Sequence, residues 1–331
     1  MSIAKPQTTS LIDTLNQGFS AINRRIWVIV IPVLLNAYIW YGAQVSFQPL
    51  INSLVSLMEQ RASTLDANAT SEQYAVWREI GLYNLLPRLD ALKLVPHLSP
   101  YVVNSAGSGG LPLPAEVLAP LDPGRAVVEV NNVALAIGLY FGFNLLAIPL
   151  GAVFFTMLAG AVNWQQPQPS RFIVRLGHAL AAFLGYAALL LAAALVIGLP
   201  VAIVGSLLAL VSPALGALIA LLVLTASFWL GIYLGFTPEA IVINGLDPLQ
   251  AIRASFTLVR RNFWNTLFLL IISVVISIGM GALWYVLVAT NIGLVVAILG
   301  SAYIGSGLIA TRMIFFRERI GKSDIRVTAN G

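Results

Sequence analysis

Long apolar runs alternate with short basic stretches along most of this chain. Six runs reach the roughly 20 residues needed to cross a bilayer core: about Ile26 to Ser46, Val133 to Val162, Ala179 to Gly205, Pro213 to Phe236, Phe263 to Tyr285 and Gly293 to Phe316. The first run reads as a signal anchor rather than a cleaved signal, because Ile39, Trp40 and Tyr41 are bulky where a small-residue cleavage site belongs. The pattern predicts an all-α protein: a polytopic membrane helix bundle of about six transmembrane helices, with interfacial amphipathic helices and a small helical extracytoplasmic segment. Its expected divisions are a cytoplasmic amphipathic segment (1–25), the first transmembrane helix (26–46), the extracytoplasmic segment (47–131), the remaining five helices (132–316) and a cytoplasmic tail (317–331).

Composition supports lipid as the solvent. Hydrophobic residues make up 59% of the 331 and charged residues only 9%, against about 25% charged in soluble domains. With no cysteine, disulfides, thiolate metal sites and cysteine nucleophiles are excluded; such a chain suits a bacterial or archaeal inner membrane. The net charge of +5 would suggest nucleic acid in a soluble protein. Here the positive residues flank the apolar runs, which points to topology and anionic lipid headgroups and away from nucleic acid. With both termini in the cytoplasm, thirteen of the 18 Lys and Arg residues fall inside. The other five, Arg61, Arg78, Arg88, Lys93 and Arg125, share the one long outer segment, and long segments translocate largely regardless of charge.

That outer segment opens with a helical pattern, Leu50, Leu54, Leu57 and Met58. A second helix is suggested by Tyr74, Trp77, Ile80, Leu85 and Leu86, and from Pro96 onward Pro and Gly break the pattern. Asn68-Ala69-Thr70 matches a glycosylation acceptor, and Ser105 to Gly110 reads as flexible linker. So small a core without disulfides is expected to lean on the ends of the spans or on the membrane surface.

Three segments share one plan: an amphipathic helix, basic residues, then a span. The first has Leu11, Leu15, Phe19 and Ile22 on its apolar side, followed by Arg24, Arg25 and Trp27, with Ser10 and Asp13 as a capping pair. The second has Phe172, Ile173, Leu176 and Leu180 on one side and Arg171, Arg175 and His178 on the other. The third starts at Asp247-Pro248 and carries Leu249, Ile252, Phe256, Val259 and Phe263, with Arg253, Arg260, Arg261 and Trp264 elsewhere on its surface. Apolar faces with basic flanks lie in the headgroup layer, and each Arg near anionic lipid gains about 1 kcal/mol. These units are therefore expected either to anchor the spans or to form a docking surface for lipid or a membrane-protein partner.

The stretch from Phe236 to Trp264 also resembles a set of uncharacterised prokaryotic six-span membrane proteins that includes the membrane domain of some glycerophosphodiester phosphodiesterases. Pro238, Ala251, Ser255, Asn262 and Trp264 stand where that pattern has them; Arg261 replaces its usual Gly. The resemblance is strong over about 30 residues. It implies a fold rather than an activity, since no phosphodiesterase catalytic domain accompanies it.

Candidate chemistry is sparse. His97 and His178 fall on opposite sides of the membrane in this topology and cannot share a metal, and the outer acids Glu72, Glu79, Asp90, Glu116, Asp122 and Glu129 read as solvated surface. No catalytic, cofactor-binding or metal-ligating set is expected. No ionisable residue is expected in mid-span, where transporters commonly carry one. Asn36 and Asn144 are the strongest polar intrusions and are expected to bridge spans inside the bundle; Gly231 with Gly235, and Ser301, Gly305, Ser306 and Ala310, offer small-residue seams. The leading expectation is a non-enzymatic membrane protein that binds lipid or a membrane-protein partner. The alternative is a transporter or flippase-like carrier of a neutral or amphipathic solute, suggested by breaks at Pro149, Pro200 and Pro213.

Overall fold

The computed structural model describes residues 10–64, 78–104, 113–163 and 169–320. The expected glycosylation triplet, Tyr74, Trp77, the Ser105 to Gly110 linker and most of the cytoplasmic tail lie outside them. The structure is 79% helical with almost no strand. Its helices are α1 (Leu11–Arg24), α2 (Val30–Tyr41), α3 (Gln48–Thr64), α4 (Val133–Val162), α5 (Pro169–Ala193), α6 (Leu199–Val211), α7 (Pro213–Leu234), α8 (Thr237–Asn244), α9 (Pro248–Arg261), α10 (Phe263–Leu287) and α11 (Asn291–Arg319). Five helical stretches are long and apolar enough to cross a membrane, and a sixth if the pair Leu11–Arg24 and Ile26–Tyr41, bent at its break, counts as one span. The protein is thus an all-α, multi-pass membrane bundle.

Several expected boundaries move. The first transmembrane helix ends at Tyr41 rather than Ser46, because Gln44–Ser46 forms a strand, β1. Pro149 sits inside the unbroken α4. α5 and α6 run together as one 40-residue span candidate, Ser170–Ala209, through a wider π-type turn at Ala194–Gly198. At 1.5 Å per residue that is about 60 Å, twice the hydrocarbon thickness of about 30 Å. The second amphipathic segment is therefore the straight basic extension of a span and not a separate helix lying in the interface.

The chain forms two compact units. The first comprises Met1–Val28, Gly151–Val274 and Ser306–Gly331. Phe154, Leu158, Phe183, Phe236, Ile241, Leu258, Phe315 and Phe316 are fully buried within the described structure. α1 begins with a complete capping box: the Asp13 N–H donates to Ser10 Oγ at 3.1 Å and the Ser10 N–H to Asp13 Oδ2 at 3.3 Å. α1 and α9 bury the same spacing of positions, Thr14, Gly18, Ala21 and Ile22 in one, Ala251, Ser255, Leu258 and Val259 in the other. Small residues on this face let backbones meet closely. A side chain at Gly18 would overlap Thr311 of α11, and one at Gly185 of α5 would come to 2.8 Å from Pro248. The apolar stripe expected on α9 is consequently divided: Val259 is buried, while Leu249 and Phe256 are exposed. Gly231 has no neighbour within 4 Å, so the Gly231–Gly235 pair is not a packing seam among the described residues.

The second unit comprises Ile29–Leu150 and Val275–Gly305. Its outer segment is less helical than expected. β1 pairs in parallel with β4 (Val127–Glu129), and β2 (Tyr101–Asn104) pairs antiparallel with β3 (Leu113–Glu116). One cluster gathers Ile39, Val45, Leu86, Leu89 and Val130; another gathers Leu98, Trp284, Leu294, Ala297 and Ile298. Leu54, Leu57 and Met58 of α3 remain exposed.

Asn36 and Asn144 are buried, but each holds the loop from Leu89 to Leu98 rather than a neighbouring span. Asn36 Nδ2 donates to the carbonyls of Pro32 at 2.7 Å and Pro96 at 3.3 Å, and Oδ1 accepts from the Leu98 N–H at 2.5 Å. Asn144 Nδ2 donates to Leu89 and Tyr140, both at 2.8 Å, and Oδ1 accepts from the Ala91 N–H at 3.0 Å. An irregular strap from Leu89 to Leu98 cannot satisfy its own backbone, so the two amides do it. Asn84 repeats the device, accepting from Val45 and Leu86, each at 3.1 Å.

Replacing Asn36 with Leu orphans the Leu98 N–H, and replacing Asn144 with Leu orphans that of Ala91. Each is expected to cost about 1–3 kcal/mol, the price of a buried unsatisfied group. Hydrogen exchange should accelerate at Leu98 only in the first variant and at Ala91 only in the second; unchanged exchange at both would refute the clamp.

Candidate functional site

The basic residues singled out in the sequence stand on three separate helices of the first unit. Arg24 is exposed at the end of α1, and Arg25, just after it, is half-buried with its guanidinium near Gly160 of α4. Arg171 and Arg175 are exposed on α5, and Arg253, Arg260 and Arg261 on α9. Trp264, 68% exposed, opens α10. On α9 the buried small-residue face holds the helix to α7 and α8, so the arginines, Leu249 and Phe256 all look outward.

Arg175 lines a recess of about 690 Å³. With it stand Thr156 of α4, His178 of α5, Asn244 of α8, Arg317 of α11 and Asn163. Arg317 Nη1 donates to the Val162 carbonyl at 2.8 Å and to Asn163 Oδ1 at 3.4 Å, satisfying one of the bare carbonyls that end a helix. Thr156 Oγ1, His178 Nε2 and Asn244 Nδ2 are buried and have no hydrogen-bond partner among the described residues. Gly245, which also lines the recess, ends α8 with a φ of 63° in the left-handed region.

A second feature is a buried ion pair near the end of a span, outside the mid-span region where no ionisable residue was expected. Glu239, 1% exposed, lies in the span candidate Ala214–Asn244, and its Oε1 stands 2.9 Å from Arg312 Nε of α11. Arg312 also donates through Nη2 to the Gly235 carbonyl and sits over the Phe236 ring, 5.1 Å from its centroid. On the same turn Ser255 Oγ accepts from the Phe236 N–H at 3.1 Å and donates to the Tyr233 carbonyl at 2.6 Å. Two side chains from elsewhere in the unit thus repair the break between α7 and α8. Sequence reading assigned Arg312 to the cytoplasmic tally and passed over Glu239. The available signal was a lone acid just after Thr237-Pro238, where a helix restarts and its first-turn N–H groups favour negative charge.

Among the outer acids, Glu116 is not solvated surface. It pairs with Arg88 at 2.6 Å and lies 3.9 Å from His97 Nε2, all within the second unit. Burial holds the His97 imidazole below its ordinary 6.5, with the Glu116 carboxylate pulling the other way. Burial likewise raises the Tyr101 phenol.

Removing one member of a buried ion pair strands the other. Glu239→Ala and Arg312→Ala are each expected to cost about 3–5 kcal/mol, while joint replacement of both by Met should cost clearly less than the sum. Unfolding titrations in mild detergent would measure this; additive losses would show that the pair is not coupled.

No family model, no curated protein and no solved structure matches this chain.

Proposed function

We propose that this protein is a non-enzymatic membrane module whose cytoplasmic end gathers anionic lipid. The observation that carries the reading is the outward face of α9, where Arg253, Arg260 and Arg261 stand beside exposed Leu249 and Phe256, with Trp264 following. Apolar residues for the acyl boundary, a Trp for the interface and guanidiniums for phosphates are the three components of headgroup binding. The orientation, with both termini in the cytoplasm, rests on the distribution of basic residues. A membrane-protein partner on the same face is the competing occupant.

Because the chain has no cysteine, orientation can be tested with single introduced thiols. Cysteine at Gln250 should resist an impermeant thiol reagent in intact cells, and cysteine at Gly124 should react; the reverse would invert the topology.

Changing Arg253, Arg260 and Arg261 together to Gln should leave the fold unaffected and lower the anionic lipid retained through mild-detergent purification. At about 1 kcal/mol per arginine, affinity falls by an order of magnitude or more. Quantitative lipid mass spectrometry reads the outcome. Unchanged retention of anionic lipid, with a protein partner lost instead, would transfer the face to that partner.

A further inference from the structure

We propose that the recess formed by α4, α5, α8 and α11 binds a phosphate group, carried either by a lipid headgroup or by a soluble phosphomonoester. Only the lipid source rests on the reading above; the recess itself is a separate observation.

Its donor set defines the ligand class. Arg175 and Arg317 bring two permanent charges, and Thr156, His178 and Asn244 bring three buried polar atoms without partners among the described residues. No Asp or Glu is among the described residues that line it. Thr156 is itself only 7% exposed, so its unpartnered hydroxyl is not a surface group. Each unmatched buried polar atom is destabilising unless something meets it, and of the eleven such atoms among the described residues these three share the recess.

The carbonyl ends of helices point negative and would repel an anion. Here the Val162 carbonyl is already occupied by Arg317, whose guanidinium has five N–H donors, more than its two recorded acceptors use. The end of α8 at Asn244 also borders the recess, so the two guanidiniums have its carbonyls to outweigh as well. Arginine favours planar, two-point contact with carboxylate and phosphate. Five donor side chains from four helices exceed what the two oxygens of a carboxylate can take, and they suit a group with three or more. The volume, about 690 Å³, lies within the usual range of small-molecule sites, about 300–1,000 Å³. It leaves room for a glycerol or sugar attached to the phosphate.

The test uses the full chain in phosphatidylcholine nanodiscs. Glycerol 3-phosphate and inorganic phosphate are titrated by calorimetry, and phosphatidic acid is doped into the discs and followed by native mass spectrometry. Saturable binding of a soluble phosphate that displaces bound phosphatidic acid would support the phosphomonoester source. Saturable binding of phosphatidic acid alone would support the lipid source. In either case Arg175→Gln, at an exposed position, should weaken binding at least tenfold at unchanged thermal stability. The double variant Thr156→Val with Asn244→Leu should do the same while keeping or raising thermal stability, because it removes unmatched donors. The triple glutamine variant of α9 should bind at the recess as the parent does. That separates failure here from failure of the surface reading. Absence of saturable binding by all three probes, or parental affinity in both recess variants, would overturn the proposal.

Discussion

A peptide group left bare in hydrocarbon has no water to turn to, so every interruption of a helix there must be answered by another side chain. The chain interrupts itself at Gly235–Phe236, between α7 and α8. Arg312 answers the Gly235 carbonyl, and Ser255 answers both the Tyr233 carbonyl and the Phe236 N–H. These bonds fix where α9 and α11 stand in the first unit. Glu239 then balances the guanidinium that the repair brought into a buried place. A buried pair of this kind is weak evidence for stability, because desolvation offsets the attraction. Removing either partner would leave the other charge buried and unpaired.

The same requirement organises the second unit by other means. Its outer strap has little regular structure, and buried amides at Asn36, Asn84 and Asn144 supply what a ladder or helix would have supplied. Polar side chains that looked like bridges between spans therefore serve backbone. The choice follows from geometry: a carboxamide offers donor and acceptor at once, which matches a loop carbonyl and a loop N–H a few residues apart.

The proposed sites lie where these constraints leave residues over. Small-residue faces at Thr14, Gly18 and Ala21 and at Ala251 and Ser255 are spent on packing, which turns the arginines of α9 outward. A basic recess borders the end of α8 at Gly245. An outward basic face and an enclosed one thus stand in the same unit, one opposite a stripe of small residues and one beside a helix stop.

The apolar run from about Val133 to Val162 was legible as a helix, though not its continuity through Pro149, as were the capping box at Ser10 and the helix start at Pro248, because hydrophobic length and local backbone chemistry act within a few residues. The sequence by itself also determined that lipid surrounds most of this chain, since 9% charge cannot cover a soluble surface. What it could not determine was which face of each amphipathic helix would be buried. Large apolar residues on α9 suggested one stripe, and the close approach allowed by Ala251 and Ser255 selected another. Nor could it pair Glu239 with Arg312, or bring Thr156, Arg175, His178, Asn244 and Arg317 around one space. Those residues are far apart in the chain, and only tertiary packing decides which buried polar atoms meet and which are left unmatched.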